Sequence, residues 1–253
     1  MTRRTPTGPT PPPVVQRVRI RYAKRGRLRF TSHRDVARAF ERALRRAGVP
    51  MAYSAGFTPH PKISYVGASP TGTASEAEYL EIGLARSCDV AELRQAIDAA
   101  LPDGIDVIDA VPAGPGSLAE RMAATQWRIE LPGVDVDTGR AAVDALLARE
   151  RVEVERLTKS GRRAVDVRSP LVSITVTGAS VPSGGHANHP RAILDVVVRQ
   201  VAPAVRPDDV LVALGAVAGL APAAPPLALR VAQGPLDDSG AVGDPLAADR
   251  TLA

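Results

Sequence analysis

The sequence predicts an α+β protein of two tandem ferredoxin-like modules, each with the element order β-α-β-β-α-β and an antiparallel sheet. Three observations predict it. Strands show period-two alternation, the helices between them are capped and amphipathic, and a Gly/Pro break at Ala113-Gly114-Pro115-Gly116 separates two runs with the same element order. A length of 253 residues suits two small domains.

The elements follow in order. Residues 1–15 are Pro- and Thr-rich and read as a disordered leader. The first module is assigned to residues 16–112. In RVRIRY, Val18, Ile20 and Tyr22 point one way and Arg17, Arg19 and Arg21 the other, a strand with one buried face. After the turn Lys24-Arg25-Gly26-Arg27, Leu28 and Phe30 are expected to resume the alternation. Ser32-x-x-Asp35 opens a helix whose apolar stripe is Val36, Phe40, Ala43, Leu44 and Ala47; Gly48 and Pro50 end it. Strands are expected at Met51–Phe57, at Ile63–Gly67 beyond Thr58-Pro59-His60-Pro61, and at Tyr79–Leu84. Asp89-x-x-Glu92 caps a second helix ending at Pro102, and Ile105–Val111 is the last strand.

Residues 113–124 read as a linker and 125–232 as the second module. Its strands are expected at Gln126–Leu131, Val152–Leu157, Val165–Val176, Ala192–Val201 and Leu227–Val231. Its helices are expected at Thr138–Arg149 and between Pro207 and Gly215. Residues 233–253 are Gly/Asp/Ala-rich and expected to fray as a flexible tail.

Composition excludes several function classes. The single cysteine, Cys88, rules out a disulfide scaffold, a four-thiolate zinc site and an iron–sulfur cluster held by this chain alone. No apolar run approaches the ~18 residues of a membrane span. The opening MTRRTPTGPTPPP has a twin Arg without an apolar stretch behind it. A soluble cytoplasmic protein, with no membrane partner, is the expectation.

Charge is uneven. Residues 1–50 carry 14 Lys and Arg against Asp35 and Glu41, so the first fifth is +12 although the whole chain is only +5. Seven of the eight aromatic residues precede residue 80. Such a cationic, aromatic end points to an anionic partner, nucleic acid first. If both helices cover one face of the sheet, Arg17, Arg19 and Arg21 project from the other, where nucleic-acid modules of this architecture hold cations and stacking rings. Arg34, Arg38, Arg42, Arg45 and Arg46 form a second basic surface on the helix. The plainer reading is that these arginines pair with acids or simply solvate a surface.

Gly56-Phe57-Thr58-Pro59-His60-Pro61-Lys62 is the least ordinary segment. A histidine between two prolines is rigid and exposed, suited to recognition or acid–base work. His33, at a helix start, is its candidate companion, and with Lys62 the pair would suffice for metal-independent RNA cleavage. His186 and His189 give H-x-x-H in a Gly-rich loop, at least one rigid protein ligand short of a zinc site. No metal site is assigned.

The stretch from Arg17 through Leu84 resembles the bacterial radical-SAM-linked domain of unknown function, in its free-standing form rather than fused behind B12-binding radical-SAM proteins. The resemblance rests on Ser32-His33, Arg42-Ala43-Leu44-Arg45-Arg46, Gly56-Phe57-Thr58-Pro59-His60-Pro61 and Glu78-Tyr79-Leu80-Glu81-Ile82, and extends loosely to about residue 232. Fused members commonly carry Asn where Thr58 stands. The resemblance implies a radical-SAM partner. With one cysteine here, that partner would supply the iron–sulfur cluster and SAM, and this chain binds no cofactor itself.

The leading expectation is a non-catalytic RNA-binding accessory module that brings a tRNA or rRNA to a modifying or processing enzyme. Arg17, Arg19, Arg21, Arg34, Arg38, Arg42, Arg45, Arg46 and Lys62 would bind the nucleic acid. His33, Phe57, Thr58, His60, Tyr65 and Tyr79 would form the specific site. The alternatives are an RNA endonuclease using His33 and His60, and a protein-binding adaptor for an acidic partner.

Overall fold

The structure, a computed structural model, describes residues 12–158, 161–178 and 191–251. The chain divides into two compact units. One runs to Glu120 and takes back the segment from Pro245; the other is Arg121–Asp244. Both are α+β. No helix among the described residues is long and apolar enough to cross a membrane. The His186/His189 loop and most of the Pro-rich leader lie outside the described residues.

The first unit runs β1 (Gln16–Lys24), α1 (His33–Arg46), β2 (Ile63–Val66), β3 (Ala74–Leu84), α2 (Val90–Ala100) and β4 (Ile105–Pro112). Its strands lie in the order β4-β1-β3-β2, and every pair is antiparallel. The alternation seen in RVRIRY sets the layers. Val18, Ile20 and Tyr22 pack with Leu80 and Ile82 from β3, with Val36, Phe40 and Leu44 from α1, and with Leu93 and Ile97 from α2. Ser32 caps α1, its hydroxyl accepting the Asp35 N–H at 3.2 Å. Asp89 caps α2 by accepting from Ala91 and Glu92.

The second unit runs β5 (Ala124–Pro132), α3 (Val136–Leu147), β6 (Glu153–Thr158), β7 (Gly161–Asp166), β8 (Leu171–Gly178), β9 (Arg191–Arg199), α4 (Pro207–Ala218) and β10 (Leu227–Gly234). Its main strands lie in the order β10-β5-β9-β8, all antiparallel, and β6 and β7 form a separate hairpin. Trp127, Ile129 and Leu131 pack with Ala142, Val143 and Leu146 of α3 and with Val210, Ala213 and Leu214 of α4. At the end of β5, Gly133 takes φ +78°, and a Cβ there would lie 2.5 Å from that of Ala223. Both the backbone strain and the clash tell against a side chain, so Gly133→Ala is expected to cost ~1–3 kcal/mol in a urea melt. A loss under ~0.5 kcal/mol would contradict this packing.

Four expectations need correction. Gly26–Phe30 is a 3-10 turn rather than a resumed strand; Leu28 N–H reaches Arg25 O and Thr31 N–H reaches Leu28 O, so local bonds satisfy the backbone. Met51–Phe57 is not a strand: only isolated bridges at Met51 and Tyr53 remain. The expected Val165–Val176 strand is cut in two, because the Asp166 carboxylate accepts the Arg168 N–H at 3.1 Å and closes a turn before Pro170. The C-terminal segment is structured through its described residues, to Thr251. Asp237 accepts the N–H groups of Ser239 and Ala241, and α5 (Ala247–Arg250) brings a fully buried Asp249 into the first unit.

Candidate nucleic-acid interface

The basic residues of the first unit fall into two groups with different fates. Those on β1 are engaged internally. The β1–β3 register puts Arg19 opposite Glu81 and Arg21 opposite Tyr79. Arg19 is only 1 % exposed, and all three guanidinium nitrogens are used. Nε donates to Glu81 at 3.0 Å, one terminal nitrogen donates to both oxygens of Asp249 at 2.9 Å, and the other reaches the Gly116 carbonyl at 2.5 Å. Gly114 N–H completes the cluster by donating to Asp249 at 3.0 Å. Arg17 pairs with Glu81 at 3.0 Å, and Arg21 donates to the Glu76 carbonyl at 2.8 Å. The expectation that these arginines hold phosphates is corrected for Arg19, which is buried and structural; Arg17 remains exposed beside its contact with Glu81, and Arg21 is partly exposed. Tyr79 is 2 % exposed and presents no ring to a partner; β3 is buried on both faces.

The α1 cations are different. Arg34, Arg38, Arg42, Arg45 and Arg46 are all exposed. Arg38 meets Asp35 at 3.4 Å through solvent-exposed side chains, and Arg46 donates to the Ala100 carbonyl at 3.3 Å. Arg34, Arg42 and Arg45 make no ion pair among the described residues. Residues i and i+4 share a helix face, so Arg34, Arg38 and Arg42 form a row, with Arg45 one turn beyond Arg42 and two beyond Arg38.

Beside this row lies a strap. Ala52 N–H bonds Gly83 O and Gly83 N–H bonds Lys62 O, which ties both ends of the segment to β3. Ser54 N–H reaches His60 O at 2.9 Å, and His60 N–H reaches the Ser54 hydroxyl at 3.0 Å. These bonds close a loop whose tip is Gly56-Phe57-Thr58-Pro59. Gly56 at φ +146° allows the tip to turn. Phe57 is 76 % exposed, and Thr58, His60 and Lys62 are exposed with it. The neighbouring Tyr53 is half-exposed.

Between strap and helix is a cleft of about 140 Å³, walled by Glu41, Leu44 and Arg45 from α1 and by Tyr53, Pro59, His60 and Pro61 from the strap. His33 sits elsewhere, its ring edge-on to Tyr65 with centroids 5.0 Å apart. Tyr65 in turn meets Phe40, and its buried hydroxyl has no hydrogen-bond partner among the described residues. Burial, with the Glu41 carboxylate adding to it, pushes this phenol well above its ordinary pKa, so it stays neutral at physiological pH. Glu41 stands roughly 12 Å along the helix axis from His33 at ~1.5 Å per residue. His33 thus contacts Tyr65, whereas His60 lines the cleft, whose wall does not include His33.

Residues 17–207 match the profile of a bacterial family described as "Uncharacterized protein conserved in bacteria (DUF2344)". The chain belongs to this family. The match runs from β1 to the first residue of α4, so the DUF2344 assignment covers the α1 row and the strap and reaches into both units. Among curated proteins the chain has no match. No group of three His, Cys, Asp or Glu side chains among the described residues is arranged to hold a metal ion.

Two members of the cleft escaped the reading of the sequence. Glu41 looked like an ordinary acid in a basic helix, and Tyr53 like a strand residue. The signal for Glu41 was its place four residues before Arg45, where the two should pair. They do not, and both line the cleft instead.

Proposed function

We propose that this DUF2344 chain is a non-catalytic RNA-binding accessory module that brings a tRNA or rRNA to a modifying or processing enzyme. A radical-SAM enzyme on a separate polypeptide is the partner class we favour, with the iron–sulfur cluster and SAM supplied by that partner. We also read both units as ferredoxin-like, on the strength of their shared element order and of the orders β4-β1-β3-β2 and β10-β5-β9-β8.

The observation that carries the RNA reading is the placement of exposed α1 arginines, of which Arg34, Arg42 and Arg45 make no ion pair among the described residues, next to a preformed strap bearing Phe57, His60 and Lys62. Arginines supply phosphate contacts; exposed rings supply stacking surfaces for unpaired bases. The strap is fixed by its own hydrogen bonds, which lowers the entropy cost of recognition. The same surface would suit an acidic protein, and RNA binding is the discriminating readout.

The test compares His60→Ala with His60→Gln in the full chain. Both are expected to weaken binding to a short RNA while changing stability by less than ~1 kcal/mol, the scale of an exposed substitution. If both variants unfold more easily and residual binding tracks the folded fraction, His60 is a structural corner. If RNA binding survives but a cleaving activity disappears, the endonuclease reading takes its place.

A further inference from the structure

We propose that the cleft between α1 and the strap is a guanine-reading site, in which Glu41 accepts hydrogen bonds from the Watson–Crick edge of one unpaired guanine and Arg45 donates to its oxygen. This rests on the RNA reading and names the base that reading would select. Size comes first. A cleft of about 140 Å³ is well below the ~300 Å³ at which drug-sized pockets begin, so it admits one planar base and leaves sugar and phosphate outside. Arg38 and Arg42 stand exposed on the same helix as Glu41 and Arg45.

The lining selects among bases. Leu44, Pro59 and Pro61 give apolar walls, and Tyr53 and His60 are flat groups on which a base can stack. Two ionic groups share the rim. Glu41 and Arg45 have the spacing and the order that favour an i,i+4 ion pair, yet they make none among the described residues. A carboxylate and a guanidinium that line one cleft without pairing with each other suit a ligand with donors on one side and an acceptor on the other.

Guanine has that edge. Its N1–H and 2-amino group are adjacent donors that a carboxylate accepts in parallel, and its O6 and N7 are the acceptors a guanidinium prefers. Adenine offers an acceptor at N1, where the carboxylate would face a lone pair. Uracil offers one donor, and cytosine an acceptor beside its amino group. Only guanine satisfies both Glu41 and Arg45 without leaving a charged group facing like polarity.

The test uses the full chain and oligouridines carrying one central guanosine, inosine or adenosine, with GMP as a separate arm. Guanosine is expected to bind roughly ten- to hundredfold tighter than adenosine, with inosine, which lacks the 2-amino group, in between. Glu41→Gln, which loses the carboxylate and keeps the phosphate contacts, should bring guanosine and adenosine to within about threefold. Equal binding of guanosine and adenosine by the wild type, with salt-sensitive RNA binding intact, overturns the guanine site and spares the RNA reading. A guanosine preference that survives Glu41→Gln overturns it as well. Binding of GMP with the same Glu41 dependence, but of no oligonucleotide, upholds the guanine site and overturns the RNA reading. If neither RNA nor GMP binds, both fall.

Discussion

Replacing Asp249 by alanine is expected to remove ~3–5 kcal/mol of folding stability, the cost of breaking a buried ion pair by deleting one partner. Asp249 is fully buried, and Arg19 is nearly so. Without the carboxylate, one guanidinium nitrogen loses both its 2.9 Å bonds and Gly114 N–H loses its 3.0 Å acceptor. Glu81 remains, but it is already shared with Arg17. The double variant Arg19→Met, Asp249→Leu should lose less than Asp249→Ala, since it buries no uncompensated charge. Arg17→Ala, which breaks only the exposed pair with Glu81, should change stability by less than ~1 kcal/mol. Urea denaturation followed by the far-UV signal checks all three. A single-variant loss below ~1 kcal/mol would mean that the C-terminal segment does not anchor the first unit as described.

The second large effect concerns function. Replacing Arg38, Arg42 and Arg45 together by alanine is expected to weaken RNA binding by more than tenfold at moderate salt. Each lost phosphate contact removes an electrostatic contribution that dominates affinity for single strands. Stability should hardly move, because the three side chains are exposed and only Arg38 has an ionic partner, a weak contact at 3.4 Å. The contrast with Arg19 is the informative part. Both are arginines in the +12 segment, yet the α1 set is exposed and Arg19 is buried in an ion pair. RNA affinity by fluorescence anisotropy, with thermal unfolding on the same samples, separates the two roles.

How much of this was legible follows from which interactions are local. The α1 helix was readable because its signals lie within one segment. Ser32 caps it, and Val36, Phe40, Ala43 and Leu44 bury the predicted stripe. The alternation of β1 was readable for the same reason, so Val18, Ile20 and Tyr22 were placed on the core face, but the face expected to be open buries Arg19. What the arginine face meets was not readable. Glu81 lies 62 residues from Arg19 and Asp249 lies 230 residues away, and strand register is set by the whole sheet. The tail was misread because a Gly/Asp/Ala-rich composition says nothing about one aspartate finding a buried arginine. Exposure of the Pro-His-Pro segment was legible, since prolines resist ladder pairing. The cleft was not: Glu41 and His60 sit on separate elements, and only the fold brings them to one opening. The pairing of His33 with Tyr65 likewise needed β2 to be laid beside α1.

The salt dependence of RNA affinity tests the central claim most directly. Dissociation constants would be measured for a short single-stranded RNA across a salt series, with the wild-type chain and with Arg38→Ala, Arg42→Ala, Arg45→Ala combined. The account predicts a linear fall of log affinity with log salt, and a slope shallower by roughly 1.4 in the triple variant, at ~0.7 for each of the phosphate contacts of Arg38 and Arg42. Affinity insensitive to salt, or a slope identical in the two proteins, would contradict it and leave the α1 row as a face for an acidic protein.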